Sequence, residues 1–363
     1  MKRCHYIGLD VHCSFTELAV VTQAGRLTKR QRCATTIPAL RAALDAIARP
    51  RAVALAEGPL ADWRWRNLSG HVEALTVCDP RRNHLIAKES DQDDPLDAEK
   101  LAQLLRGGYL KAVHHPETLE RAAFKQLVLL YHERVRQRVR EANRVLASLR
   151  RHGVFVPAKA FADKEDRPAL RGRLPSVGLL AANLELLWDS YDLAAQQART
   201  MRRRLVEAAR PEEVSERFTQ LPGIGWVRAA TFFVCVDTPG RFPSKASLLK
   251  YLGIGLERRH SGSGRVGVRL VKYANRQLKG VLMGAALKAL GGKDNPFASR
   301  YQRWLEAGVS VGSARRNVAR RLAATLGGMW KNGSVYRPEW VGVAAAAVSA
   351  AAASSEAGCC SQA

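Results

Sequence analysis

Tyr6-Ile7-Gly8-Leu9-Asp10-Val11-His12 is the stretch whose reading decides the fold. Ile7, Leu9 and Val11 alternate with Gly8 and Asp10, as in a strand with one buried face and one acid on the other. Two further strand-like runs follow, Glu17–Thr22 and Arg26–Ala34, separated by the turn Gln23-Ala24-Gly25, so a three-strand meander is expected. Ile37–Ala48 carries apolar residues at helical spacing. Arg51–Glu57 reads as a short buried strand that ends in an acid just before the breaker Gly58-Pro59. Trp63–Leu68 is expected to be helical and Val72–Cys78 to be a strand. Asp94-Pro95-Leu96-Asp97-Ala98 then opens a helix with Pro95 at its first turn and two acids three residues apart.

The expected order is therefore βββαβαβα, which is that of the RNase H-like fold. In that fold acids gather from the first strand, the fourth strand and the last helix. Asp10, Glu57, Asp94 and Asp97 occupy those places, and together they suit a Mg²⁺ ion, which takes hard oxygen ligands. Each acid alone has a plainer reading: Asp10 caps a turn, Glu57 is solvated, Asp94 is a helix cap. Their joint occurrence in fold order favours the metal. Asp91 and Asp93 compete with Asp94 for register. Asp94 and Asp97 are preferred because Ala98, Leu101, Leu104 and Leu105 mark the helix that begins there.

The remainder of the chain is strongly basic. Its 363 residues include 58 Lys and Arg against 33 Asp and Glu, a formal charge of +25. Such an excess implies a polyanionic partner, nucleic acid before a membrane surface. A hydrophobic content of 47% excludes a disordered polycation. No apolar run approaches the ~20 residues of a membrane span. The N-terminus leads into a strand without a signal-peptide core, so a cytoplasmic, nucleoid-associated protein is expected. The seven cysteines form no Cys-x-x-Cys pair, and reduced, mostly buried thiols are expected.

Residues 116–152 and about 179–210 are two long helical patterns joined by a connector with Pro and Gly, which suggests an antiparallel coiled-coil arm. The run Arg202-Arg203-Arg204 is equally well a solvated face or a phosphate contact. Leu221-Pro222-Gly223-Ile224-Gly225 before a small-residue helix resembles a helix-hairpin-helix element, whose free N–H groups suit a phosphate. Helices are expected at Lys245–Leu252, about Gly280–Leu290, Arg300–Glu306 and Ser313–Trp330. Gly253–Gly267 reads as a Gly/Ser/Arg-rich loop and Arg269–Lys279 as a basic stretch. Arg258, Arg259, Arg265 and Lys272 are candidates for nucleic-acid contact, as are Gly223 and Gly225. Four regions result: a domain at 1–113, an arm at 114–215, a mainly helical domain at 216–335, and a low-complexity tail at 336–363. From chemistry alone, the loop around Ser261 is a basic phosphate binder rather than a nucleophile.

The chain resembles the DEDD-type transposases of the "one-ten" group of bacterial insertion sequences, described as bridge-RNA-guided recombinases. The resemblance rests on Gly8-Leu9-Asp10-Val11-His12, Glu57, Asp94-Pro95-Leu96-Asp97-Ala98, Leu221-Pro222-Gly223-Ile224-Gly225 and Phe242-Pro243-Ser244. It continues through Tyr251-Leu252-Gly253-Ile254-Gly255, Ser261-Gly262 and Lys272-Tyr273-Ala274-Asn275. It implies a RuvC-like N-terminal domain, a coiled coil and a C-terminal domain with a catalytic serine. Asp10, Glu57, Asp94 and Asp97 would hold Mg²⁺. Ser261 would attack DNA and form a phosphoserine link, with Ser263 a second possible nucleophile. The partners implied are the DNA of element and target, a guide RNA, and further copies of the chain in a homo-oligomer, a tetramer. A RuvC-like nuclease using water, and a non-catalytic nucleic-acid-binding remnant, remain the alternatives.

Overall fold

The computed structural model describes residues 4–80, 94–157, 160–259, 267–292 and 295–342. Secondary-structure labels below run in chain order over these residues. They fall into two compact units, 1–117 and 118–363.

The first unit is built on a five-stranded sheet of order β3-β2-β1-β4-β5. The strands are β1 (His5–Val11), β2 (Phe15–Val21), β3 (Leu27–Ala34), β4 (Arg51–Ala56) and β5 (Ala74–Cys78). β1, β2 and β3 pair antiparallel, whereas β1, β4 and β5 pair parallel. The parallel pairs need crossovers, and two helices supply them: α1 (Ile37–Asp45) and α2 (Ala61–Leu68). Thr36 caps α1, its side chain accepting from the Ala39 N–H, and Pro38 lies in the first turn. Ile7, Leu9, Val53 and Leu55 form one core with Leu40 and Leu44 of α1 and Ala61 and Leu68 of α2. β3 is the charged edge: Lys29, Arg30 and Arg32 are largely exposed, which discourages pairing with another strand.

The other sheet face carries α3 (Asp94–Arg106), whose Ala98, Leu101 and Ala102 are buried. Its contact with β1 depends on Gly8. A Cβ there would lie 2.0 Å from the Ala98 carbonyl oxygen and 2.8 Å from the Ala102 nitrogen. The helix backbone therefore lies directly on the strand, two residues before Asp10. The order βββαβαβα expected from sequence is the order found, with ends shifted by a few residues.

The second unit begins with α4 (Leu119–Arg151), α5 (Arg167–Gly172) and α6 (Gly178–Ala209). Val145, Leu146 and Leu149 near the end of α4 share a core with Leu184 and Trp188 near the start of α6. Phe124 and Val128 at the other end of α4 share a second core with Leu205 and Ala209. The two long helices therefore run antiparallel. The second core is completed by α7 (Glu213–Thr219), α8 (Trp226–Val236), α9 (Lys245–Tyr251), α10 (Arg276–Leu290), α11 (Pro296–Glu306) and α12 (Val311–Asn332). A short α13 (Glu339–Gly342) follows.

The clearest difference from the sequence expectation is a two-stranded hairpin. β6 (Leu256–Arg259) pairs antiparallel with β7 (Gly267–Leu270), where a loop and a basic stretch were expected. Charge hides the alternation: Glu257 and Arg269 are cross-strand partners joined by a 2.6 Å bond. Likewise α10 starts at Arg276, not near Gly280, because Asn275 caps it by accepting from the Leu278 N–H. The expectation of mostly buried thiols is also corrected. Cys78 and Cys235 are buried, Cys4 and Cys33 half-buried and Cys13 exposed, all as free thiols. No helix among the described residues is long and apolar enough to cross a membrane.

Candidate acidic site and basic surfaces

Strand alternation sends Ile7 and Leu9 into the core and leaves Gly8 and Asp10 on the α3 face. Asp94 and Asp97 lie in the first turn of α3, the one a turn before and the other next to the Ala98 that rests on Gly8. The close backbone approach thus brings acids from the strand and the helix together. His12 lies between two of them. Its Nε2 is 3.0 Å from Asp10 Oδ2 and 3.3 Å from Asp94 Oδ2, and its ring stacks on Phe15 at 4.6 Å. Ligand atoms of Asp10, His12 and Asp94 all lie within 4.8 Å of one another.

The electrostatics of this cluster suit a cation. The Asp10 carboxyl titrates above its ordinary range, chiefly because burial penalises its charge. His12 opposes the shift, and the charges of Asp94 and Asp97 add to it. Asp97 Oδ1 is buried without a hydrogen-bond partner, with Lys100 Nζ 3.7 Å away. Crowded carboxylates, one raised and one left with an unsatisfied oxygen, are what a divalent cation stabilises. The donors are hard oxygens with one imidazole beside them, so the residues present fit Mg²⁺ or a similar ion.

Glu57 stands apart from the cluster of three. The parallel register of β4 on β1 pairs Leu55 with Leu9, which places Glu57 level with Val11 at the same end of the sheet. Its N–H donates to the Cys78 carbonyl at 2.8 Å. Its carboxylate meets His115 Nε2 at 3.3 Å, and His115 Nδ1 lies 3.3 Å from Asp62. His115 is buried and stacks on Trp65 at 5.5 Å. Two histidines therefore contact the predicted acids, and no role for either was legible in the sequence. The only signal for His12 was its position two residues after Asp10, and His115 carried none. Arg64 was also missed. It is 1% exposed, and its Nε and Nη2 lack hydrogen-bond partners.

The remaining predicted residues divide by position. Ser261, Ser263 and Arg265 lie outside the described residues, as do Asp91 and Asp93, and the same holds for the side chains of Arg258 and Arg259. Lys272 is exposed. Gly223 has φ +82°, and a Cβ on it would lie 2.3 Å from the Ala285 carbonyl oxygen, so this glycine permits close packing on α10. Gly225 caps α8 without a side chain and borders a groove of about 940 Å³. Several of the quoted motifs have structural explanations. Ser244 caps α9 in a reciprocal pair with Ser247. Tyr251 donates to the Cys235 carbonyl and accepts from the Asn275 amide.

Comparison with known proteins makes the class plain, that of DEDD transposases, and the family with it. Residues 7–153 match the DEDD transposases of the IS110 type. Residues 215–302 match the family described as "Transposase IS116/IS110/IS902 family". The two matches follow in chain order, and the chain belongs to the IS110 family of transposases. It is 26% identical over 163 residues to an "Insertion element IS110 uncharacterized 43.6 kDa protein" of Streptomyces coelicolor, covering 45% of this chain and 40% of that protein. It is also 26% identical over 255 residues to a "Putative transposase y4pF/y4sB" of Sinorhizobium fredii, covering 68% of this chain and 64% of that protein. Each match thus spans less than two thirds of the relative's length.

Proposed function

We propose that the protein is a recombinase that excises and inserts a mobile DNA element by strand cleavage, exchange and religation. The observation that carries this reading is the meeting of Asp10 with Asp94 and its α3 neighbour Asp97, inside the region matched by DEDD transposases. The sheet order and the acids at one end of it support an RNase H-like, RuvC-like domain. The antiparallel α4 and α6 support a coiled-coil arm. Asp10, Asp94 and Asp97, with Glu57 from the adjoining strand, would hold Mg²⁺. When bound, Mg²⁺ would polarise the scissile phosphate and neutralise its developing charge.

Ser261 is proposed as the nucleophile. Its Oγ forms a bond to phosphorus, the phosphorus–oxygen bond to the departing deoxyribose breaks, and that oxygen takes up a proton. The phosphodiester is conserved as a serine ester, so religation is the same exchange in reverse. A structured guide RNA is proposed to choose the target by base pairing, with the protein holding phosphates. The protein is proposed to work as a homo-oligomer, a tetramer, on the nucleoid in the cytoplasm.

A cleavage assay on element-end DNA, with denaturing gels to trap a protein–DNA adduct, tests the reading. The parent should give a Mg²⁺-dependent adduct that disappears in Ser261→Ala and in Asp10→Ala. Cutting that leaves free ends and no adduct would transfer the chemistry to water. Binding without cleavage in the parent would make the chain a remnant.

A further inference from the structure

The groove beside Gly225 lies wholly within the second unit, and it joins two sequence features, the arginine run of α6 and the turn before α8. It is lined by α4, α6, α8 and α10. Along α6 it takes Arg199, Arg202 and Arg203, with Arg210 at the helix C-cap, and from α8 it takes Arg228. Spacings of three, four and eleven residues from Arg199 put Arg202, Arg203 and Arg210 on its helix face, whereas Leu205 and Ala209 turn into the core. The run Arg202-Arg203-Arg204 is thereby split: the first two line the groove and Arg204 does not.

Against five arginines the lining offers one acid, Glu207. Among the described residues, none of the five arginines forms an ion pair. Arg228 is half-buried, donates to the Gly223 carbonyl at 2.6 Å, and has its charged form disfavoured by burial. A cation desolvated without an anion is costly, and a phosphate would offset that cost. The positive end of α8, an eleven-residue helix, borders the same space through Gly225, Trp226 and Val227. Gly280 and Gly284 of α10 form part of the lining, and a Cβ on Gly280 would meet nothing within 4 Å. A side chain at Gly280 would therefore project into free space, and one at Gly284 would meet the Arg228 guanidinium at 3.4 Å.

We infer that this groove grips the phosphodiester backbone of a nucleic-acid strand, with Arg199, Arg202, Arg203 and Arg210 reading successive phosphates beside the N-terminus of α8. A strand fits better than a small anion. Eleven residues of α6 span about 16 Å at 1.5 Å per residue, and phosphates follow at roughly 3.4 Å along a strand axis. The inference rests on the transposase reading only for the class of polyanion. DNA and RNA share the chemistry.

The test measures equilibrium binding by fluorescence anisotropy, in EDTA, over a range of salt. The probes are a labelled random-sequence DNA strand, its duplex, and an RNA strand of the same sequence. Arg199→Ala/Arg202→Ala/Arg203→Ala should weaken binding of at least one probe about tenfold or more and lower the salt slope by about 2. The probe with the largest loss identifies the strand. Gly280→Leu should weaken the same probe without any change of charge, by filling the groove. A control, Arg150→Ala/Arg151→Ala/Arg173→Ala, removes as much charge from exposed positions elsewhere and should lose clearly less. Unaltered melting curves exclude misfolding. An unchanged salt slope in the triple variant, unaffected binding by Gly280→Leu, or an equal loss in the control overturns the inference. Binding is read without cleavage, so an inactive recombinase still reports on the groove, and an active one can still fail here.

Discussion

The acidic cluster of the first unit and the arginine groove of the second gather opposite charges by different devices. At the cluster, Gly8 lets the backbone of α3 rest on β1, and carboxylates are forced together. At the groove, Gly280 and Gly284 are part of a lining that Arg199, Arg202, Arg203 and Arg210 dominate. At the cluster a missing side chain sets where charge accumulates, and at the groove the buried face of α6 does. The two also differ in solvent. Asp10 is partly buried and its ionisation is penalised, so its cluster suits a compact divalent cation. The α6 arginines are exposed and stay hydrated, so their groove suits a long, flexible polyanion whose affinity falls with salt.

The largest effect expected from breaking this contrast is chemical. Asp10→Ala should lower strand cleavage by about a thousandfold, the equivalent of several kcal/mol of lost charge stabilisation. Binding of DNA in EDTA should be unchanged. A cleavage time course beside an anisotropy titration checks both, and a variant that cuts at the parent rate sinks the acidic site.

Next in size is Gly8→Ala. A Cβ 2.0 Å from the Ala98 carbonyl oxygen must push α3 away. Overpacking of this kind costs about 1–3 kcal/mol, read as a lower melting temperature. Because α3 carries Asp94 and Asp97, the heat of Mg²⁺ binding in calorimetry should weaken as well. Wild-type stability and metal binding in this variant would show that the helix does not hold the acids in place.

A smaller effect separates the two units by pH. His132 packs beside the groove, and burial, aided by Arg136, lowers its pKa from 6.5 to about 4. Thr231 donates to the Val227 carbonyl at 2.6 Å, so its one proton is committed and His132 Nε2 donates to Thr231 Oγ1. The folded imidazole is neutral where the unfolded one already binds a proton. Stability of the second unit should therefore fall as pH drops from 6.5 towards 4 and level off below. His132→Gln should flatten that part of the profile in denaturant titrations, and an unaltered profile would contradict the assignment.

The smallest effect runs the other way. The Asp10 pKa is raised in the fold, so its ionised form costs stability once pH exceeds the ordinary carboxylate value of 3.8, and the full cost applies above the raised value. Asp10→Asn should melt slightly higher than the parent at neutral pH without metal, and this advantage should shrink in Mg²⁺. A lower melting temperature in EDTA would mean that the contact with His12 outweighs the desolvation of the carboxylate.

Much of the first unit was legible because alternation and helical periodicity are short-range signals. Ile7 and Leu9 identify a buried face, Asp10 must then lie opposite, and Pro95 marks a helix start. The hairpin of β6 and β7 was not legible, since Glu257 and Arg269 are attracted across strands and their charges read as a loop along the chain. The Arg202–Arg204 run could not be resolved for a similar reason. Which arginines face a groove depends on the helix surface that Leu205 and Ala209 bury, and on neighbours distant in sequence.

By itself, then, the sequence determined the strand–helix order, the four candidate acids and the need for a polyanion, because each follows from local pattern or total charge. Only tertiary structure decided that Asp10, His12 and Asp94 converge while Glu57 meets His115, and that α6 and the Gly225 turn share one groove. The physical reason is distance. Coulomb interactions and desolvation act over a few ångströms through space, and which groups come that close is set by backbone packing at positions such as Gly8 and Gly223.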